Sequence, residues 1–245
     1  MATARVEEYK GIVLSRIPQK ERDAMVRCLG PSGFFSFYSR GALKVGGANN
    51  FLTQELSLGA FNLMVSSTGA LTLRDGKIEA LLSPEGNLEA MLVAQLCIEA
   101  TLRILSEEEG EQAYPSLETS LKALLEHGDP FSIAMMYLAR VLRFSGYGIE
   151  VGHCVVCGAK KGIVSVDFTH GGFLCQDCLP LSTEGPLSVD ELKVFHHAFA
   201  YGGFELSKVT YPKGAKEASL RRLLRYCEET SGARLRSLEP IFHAY

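Results

Sequence analysis

Four cysteines stand as two Cys-x-x-Cys pairs, Cys154/Cys157 and Cys175/Cys178, with 17 residues between the pairs. A two-residue spacer turns both sulfurs of a pair toward one point, and two pairs supply four soft ligands for a tetrahedral Zn²⁺. Gly158 follows the first pair directly, and Pro180 lies just beyond the second. The intervening KKGIVSVDFTHGGFL reads as a short hairpin closed at Gly171 and Gly172. Two knuckles joined by a hairpin describe a zinc ribbon. The competing reading is a pair of redox motifs, which ordinarily places one pair at a strand-to-helix junction. A zinc held by four thiolates has no open coordination position, so the expectation is one structural Zn²⁺ without catalysis. His153 and His170 could each replace a ligand, but as neighbours of a complete set they read as bystanders.

A chain of 245 residues has room for two or three domains, and its 47% hydrophobic content is ample for their cores. No run of about 18 apolar residues occurs, which argues against a membrane span. The opening MATARVEEYK lacks the apolar stretch of a secretory signal. A cytoplasmic protein is expected, with Cys28, Cys97 and Cys227 reduced and buried. The net charge of −3 is unevenly spread: residues 1–82 carry 10 Lys/Arg against 7 Asp/Glu, residues 83–152 carry 4 against 11, and residues 153–245 carry 11 against 10. The outer segments therefore suit a polyanion better than the middle one does.

Five short β-rich stretches fill the first 80 residues or so: 9–16, 23–29, 34–41, 56–67 and 70–81, with Asp75-Gly76 a possible turn inside the last. Gly46 to Asn50 reads as a flexible loop. Such spacing predicts a small five-stranded barrel of the OB-fold type over residues 1–82. From Ser83-Pro84 the pattern changes to helix, with Leu88, Met91, Leu92, Gln95, Leu96, Glu99, Leu102 and Leu105, largely apolar, recurring at three- and four-residue spacing. The acidic run 106–112 reads as a solvated loop, Pro115 as the start of a second helix, and Asp129-Pro130 as the cap of a third. Ser188 and Glu191 form a capping-box pattern, and a last helix spans roughly 216–230. The predicted class is α+β: a barrel, then a helical domain (83–152 and 182–245) interrupted by the ribbon at 153–181.

This order, with several local motifs, resembles the RecO family of bacterial DNA-repair proteins. YKGIVLSR followed by FFSFYSRGALK is similar to the family's amino-terminal barrel, and YLARVLRFSGYG to the helix leading into its ribbon. HCVVCG with GGFLCQDC resembles its zinc motif, and LRRLLRYCEETSGARLRSLEPI its carboxy-terminal basic helix and tail. The resemblance implies a recombination mediator at the bacterial nucleoid. It would bind single- and double-stranded DNA, anneal complementary strands and engage the single-stranded-DNA-binding protein. With RecR it would help load RecA onto coated DNA.

A barrel grips a strand by pairing cations with phosphates and stacking aromatics on bases. Arg16, Arg22, Arg40 and Lys44 are the barrel's candidate DNA contacts, with Phe35, Phe37 and Tyr38 as possible stacking platforms. Arg221 and Arg225 share a face of the last helix at four-residue spacing, and Arg234 and Arg236 extend the positive zone beyond it. For an acidic protein tail, the third helix offers Met136, Arg140 and Arg143: methionines repack and arginine pairs with carboxylates. No Gly-x-x-x-x-Gly-Lys-Ser/Thr loop, His-Glu-x-x-His pair or Gly-x-Ser-x-Gly elbow occurs, so no catalysis is expected. A zinc-stabilised interaction adaptor with negligible DNA affinity is the alternative function.

Overall fold

The computed structural model describes residues 5–182, 184–200 and 211–242, so the first four residues of the amino-terminal stretch fall outside it. The chain is mixed α+β and divides into two compact units. One comprises Met1–Ser83 and Ser106–Lys122, the other Pro84–Leu105 and Ala123–Tyr245.

In the first unit, strands β1 (Arg5–Pro18), β2 (Ala24–Gly30), β3 (Gly33–Ser39), β4 (Ser57–Val65) and β5 (Leu71–Leu81) pair in the closed-barrel order β1-β2-β3-β5-β4. The 14-residue β1 makes closure possible. Its first half pairs with β4 and its second half with β2, and Ile12 faces both Leu58 and Leu29. A bulge between Val13 and Ser15 bends it between these partners. A parallel pairing of Tyr38 with Thr72 brings β3 against β5. Alternate positions point inward, as the two-residue period of a strand requires. Val26 and Cys28, Phe61 and Leu63, and Phe37 and Leu73 form the buried core with Val13. Phe35 packs against that core, 5.2 Å from Tyr9 and 6.5 Å from Phe61 between ring centres.

Asp75-Gly76 does not turn the chain: both residues lie within β5, where Gly76 faces Phe61. A Cβ at Gly76 would stand 2.7 Å from the Ala60 carbonyl oxygen, so close strand approach explains this glycine. Gly30 is tighter still, its Cβ falling 2.1 Å from the Lys10 carbonyl oxygen. Gly30→Ala is therefore expected to cost about 2–3 kcal/mol by forcing β2 from β1. Urea unfolding at neutral pH measures it, and an unchanged midpoint would contradict this register.

The β3–β4 connection is a loop followed by a short helix, α1 (Ala48–Leu52), where a flexible loop was expected. The acidic run likewise has structure. Ser106 and Glu109 cap a turn of 3₁₀ helix, and Arg27 holds Glu107 at 2.5 Å. Helix α3 (Gly110–Leu125) then starts five residues before Pro115, which lies inside it. Gly110 permits this start, because a Cβ there would come 2.8 Å from the Phe34 ring.

The second unit is built on α4 (Pro130–Phe144), eleven of whose fifteen residues are buried. Helices α2 (Leu88–Ile104), α5 (Val189–Ala200) and α6 (Lys213–Ser231) pack around it. Strands β6 (Ile163–Asp167) and β7 (Gly172–Cys175) form a hairpin, and α7 (Glu239–Phe242) lies near the end of the chain. Local signals set the helix ends: Asn87 caps α2, Asp129 caps α4 with Pro130 at its first position, and Ser188 with Glu191 caps α5. Gly232, at φ 67°, ends α6. Glu99 on α2 accepts hydrogen bonds from the Arg236 and Ser237 backbone N–H groups at 2.9 and 3.0 Å, fixing the tail.

Lys216, 7% exposed, places its Nζ 2.5 Å from Asp129 Oδ1. Burial alone would raise the Asp129 carboxyl, but Lys216 and Ser132 hold it below the ordinary value of 3.8. A depressed folded-state value means that its stabilisation is full above the unfolded value and drains as pH falls through the folded one. With Asp129 partly exposed, Lys216→Met is expected to cost about 1–3 kcal/mol at neutral pH. Thermal unfolding should show the wild-type advantage shrinking as pH falls below 3.8, the ordinary carboxyl value. An advantage that persists unchanged there would rule out the ion pair as its source.

Candidate metal centre and nucleic-acid interface

The β6–β7 hairpin and its flanking loops bring four sulfurs together. Sγ atoms of Cys154, Cys157, Cys175 and Cys178 all lie within 4.8 Å of one another, with Cys157 and Cys175 at 3.6 Å. Metal–sulfur bonds of about 2.3 Å in a tetrahedron separate sulfurs by about 3.8 Å, so the donor set fits a thiophilic cation of zinc's size. Each knuckle is shaped by backbone hydrogen bonds. In the first, the Cys154 N–H donates to the Ala159 carbonyl and the Gly158 N–H to the Cys154 carbonyl, both at 2.8 Å. Gly158 takes φ 78°, which a side chain would strain. In the second, the Cys178 N–H donates to the Cys175 carbonyl at 3.1 Å and the Gln176 N–H to the Gly162 carbonyl at 2.9 Å.

Register Ile163↔Cys175 and Asp167↔Gly172 aligns the hairpin so that both pairs of cysteines sit at one end. At the other end Asp167 accepts from the His170 N–H at 2.8 Å and lies 3.0 Å from its ring Nδ1. His170 thus shapes the turn, and His153 lies 3.6 Å from Glu150. Phe168 stacks on Tyr226 of α6 at 4.4 Å, and the Tyr226 hydroxyl donates to the Tyr147 carbonyl at 3.1 Å, anchoring the hairpin.

Burial alone would raise the Cys154 thiol, but N–H groups of Cys157, Cys175 and Val156 bring it down to about 6. Burial and the neighbouring sulfurs push Cys178 up to about 12. One thiolate is stabilised by the backbone, and further ionisation in so small a volume calls for a cation. Cys28, Cys97 and Cys227 stand apart from the cluster. All three are buried, and burial pushes Cys227 up to about 12 and the other two well above the ordinary thiol value.

The basic residues divide into engaged and exposed groups. On the barrel, Arg16 is half-buried and donates to the Ala42 carbonyl at 3.2 Å, so it braces the β3–β4 loop. Arg22, Arg40 and Lys44 are exposed. Arg40 and Lys44 line a hollow of about 260 Å³ with Gly41, Gly47, Ala48 and Asn49. The stacking platforms are corrected: Phe37 is fully buried, Phe35 packs on the core, and the half-buried Tyr38 hydroxyl donates to Asp23. Instead Phe51, on α1 after this loop, is 60% exposed. Sequence gave no signal for it, since a single aromatic outside a periodic stretch carries no facing information.

In the second unit, Arg221 donates to the Phe242 carbonyl at 2.7 Å and lies 4.3 Å over that ring, so it secures the tail. Arg234 pairs with Glu239 at 3.1 Å, whereas Arg225 and Arg236 are exposed. The expected groove on α4 is also corrected. Met136 is a core residue at 3% exposure, and Arg140 is half-buried. Burial, and then Arg143, lower the Arg140 guanidinium from its ordinary value. Arg143 is exposed; it donates to the Phe199 carbonyl and borders a hollow of about 440 Å³ with Gly146, Gly148, Ile149, Glu150 and Gly171. No helix among the described residues is long and apolar enough to cross a membrane.

A family model described as "Recombination protein O C terminal" matches residues 85–239. The DNA repair protein RecO of Bacillus pumilus (strain SAFR-032) is 29% identical over 241 residues, spanning 93% of this chain and 90% of that protein. The DNA repair protein RecO of Exiguobacterium sibiricum is 28% identical over 150 residues, 59% of each chain. That of Thermoanaerobacter sp. (strain X514) is 32% identical over 88 residues, 35% of this chain and 36% of that protein. The family match takes in the four cysteines together with α2, α4 and α6, and on that extent the chain belongs to the RecO family.

Proposed function

We propose that this chain is a non-enzymatic recombination mediator in DNA repair that binds single- and double-stranded DNA and anneals complementary strands. With RecR it helps load RecA onto DNA coated by the single-stranded-DNA-binding protein. The observation that carries the DNA-binding part is the closed barrel whose β3–β4 loop presents Arg40 and Lys44 around one hollow. The barrel is read as an OB-fold. Arg22, Arg40 and Lys44 take phosphates and Phe51 offers a face to a base. Arg225 and Arg236 supply further phosphate contacts, and Arg16, Arg221 and Arg234 act by holding the elements that carry them.

The four-cysteine hairpin is read as a zinc ribbon with one structural Zn²⁺. When bound, zinc cross-links the two knuckles and leaves no open coordination position. Cys154, Cys157, Cys175 and Cys178 are its ligands, and the hairpin's stack on Tyr226 passes that rigidity to α6. Arg143 receives carboxylates of the acidic tail of the single-stranded-DNA-binding protein, its planar fork suiting a bidentate pair. Placement in the bacterial cytoplasm, at the nucleoid, accompanies this reading.

Annealing of two complementary fluorescent oligonucleotides tests it: the protein should accelerate pairing, and Arg143→Glu should abolish tail-peptide binding while sparing annealing. Absence of both annealing and DNA binding would leave the interaction-adaptor reading. Loss of annealing together with peptide binding would move α4 into the DNA path.

A further inference from the structure

The four sulfurs are not equivalent. Cys157 is exposed, whereas Cys154 and Cys175 are 0% and 3% exposed and Cys178 is 9% exposed. The exposed sulfur also has a close neighbour across the cluster: Cys175, at 3.6 Å, belongs to the other pair. Around it the first knuckle offers little cover, with Val156 46% exposed and Gly158 open to solvent where a Cβ would meet nothing within 4 Å. Reactivity of a sulfur toward an electrophile follows thiolate character and access together. In a four-thiolate centre every ligand has thiolate character, so access decides which reacts.

We propose that Cys157 is the modification site of this centre, the sulfur at which peroxides and soft electrophiles open it, with Cys175 as the resolving partner. This rests on the reading of the cluster as a bound Zn²⁺ site. In the first step the Cys157 thiolate attacks a peroxide oxygen; the O–O bond breaks, sulfenic acid forms at Cys157 and hydroxide leaves. In the second, the Cys175 thiolate attacks the Cys157 sulfur, expelling the second hydroxide and forming a Cys157–Cys175 disulfide. Two electrons pass from the sulfur pair to one peroxide, two protons from the buffer turn the two expelled hydroxides into water, and only Cys154 and Cys178 remain as thiolates able to hold a cation. Because Cys157 and Cys175 come from different knuckles, the product is a cross-hairpin bond and not one within a Cys-x-x-Cys pair.

Cys28, Cys97 and Cys227 are internal controls: they are buried thiols apart from the cluster, and stay unmodified while the protein is folded.

The test begins with zinc content of the purified full chain, measured by elemental analysis. Zinc-loaded protein is then treated with limiting N-ethylmaleimide and, separately, hydrogen peroxide. Zinc release is followed with a chromogenic chelator, and the modified sulfurs are mapped by peptide mass spectrometry. Cys157 should label at least about tenfold faster than each other ligand. The peroxide product should be the Cys157–Cys175 disulfide, appearing in step with zinc release. Protein that never contains zinc overturns the zinc reading itself. Zinc-loaded protein that labels first at Cys154, Cys175 or Cys178, or that loses zinc with Cys157 intact, overturns this inference and leaves the zinc reading standing.

Discussion

Cys175→Ser is expected to empty the metal centre and unfold the β6–β7 hairpin while the barrel stays folded. Cys175 is 3% exposed and ends β7, and its sulfur is 3.6 Å from Cys157. Serine removes one of four thiolates, and a hydroxyl does not replace a soft anionic ligand. The apolar residues around the sulfurs are few: Leu174 buried, with Val155, Ala159 and Ile163 partly so. Two strands of five and four residues cannot hold themselves together in water. On the proposed zinc reading, metal binding supplies the stability of this segment, at an apparent scale of about 10–16 kcal/mol for a structural zinc. Zinc content should fall from about one per chain to a small fraction of that. Hydrogen exchange should lose protection across residues 154–178 and keep it in β1 to β5. Chelation of the wild-type protein should reproduce the pattern. A hairpin that stays protected after zinc has gone would show that packing on Tyr226 suffices.

Charge reversal at the barrel loop, Arg40→Glu with Lys44→Glu, should weaken single-stranded DNA binding by about a hundredfold at low salt. Each phosphate contact contributes about 0.7 to the salt slope for single strands, so losing two should also flatten that slope by about 1.4. Every base composition should be affected alike, because phosphate contacts carry no sequence information. The double change should leave folding intact, since both side chains are exposed and neither forms an ion pair among the described residues. Filter binding with oligo(dT) and a mixed sequence measures the effect. An unchanged slope would transfer the phosphate contacts to Arg225 and Arg236. Arg221→Ala, by contrast, is expected to loosen the tail at Phe242 and to act on stability first.

Strand positions were legible because inward and outward residues alternate in β2 and β3, and glycines punctuate their ends. The cysteine spacing was legible for a different reason: two-residue spacers fix local geometry almost independently of the surrounding fold. What the sequence hid depends on tertiary contacts. Pro115 reads as a helix start, yet Gly110 beside Phe34 lets α3 begin earlier and carry the proline inside. Met136 looks adaptable, but α4 is surrounded by other helices and the residue is core. Arg221 and Arg225 look equivalent at four-residue spacing until the tail returns to place Phe242 under one of them. Phe35 and Phe37 share a strand face that is inward, and no pattern announced Phe51 as the exposed ring.

Equilibrium binding of wild-type protein to fluorescent oligo(dT) across a salt series tests the central claim most directly. With the three barrel cations and with Arg225 and Arg236 engaged, log affinity should fall linearly with log salt at a slope near about −3.5, roughly a hundredfold between about 50 and 200 mM. No measurable binding at the lowest salt, or binding indifferent to salt, would contradict it.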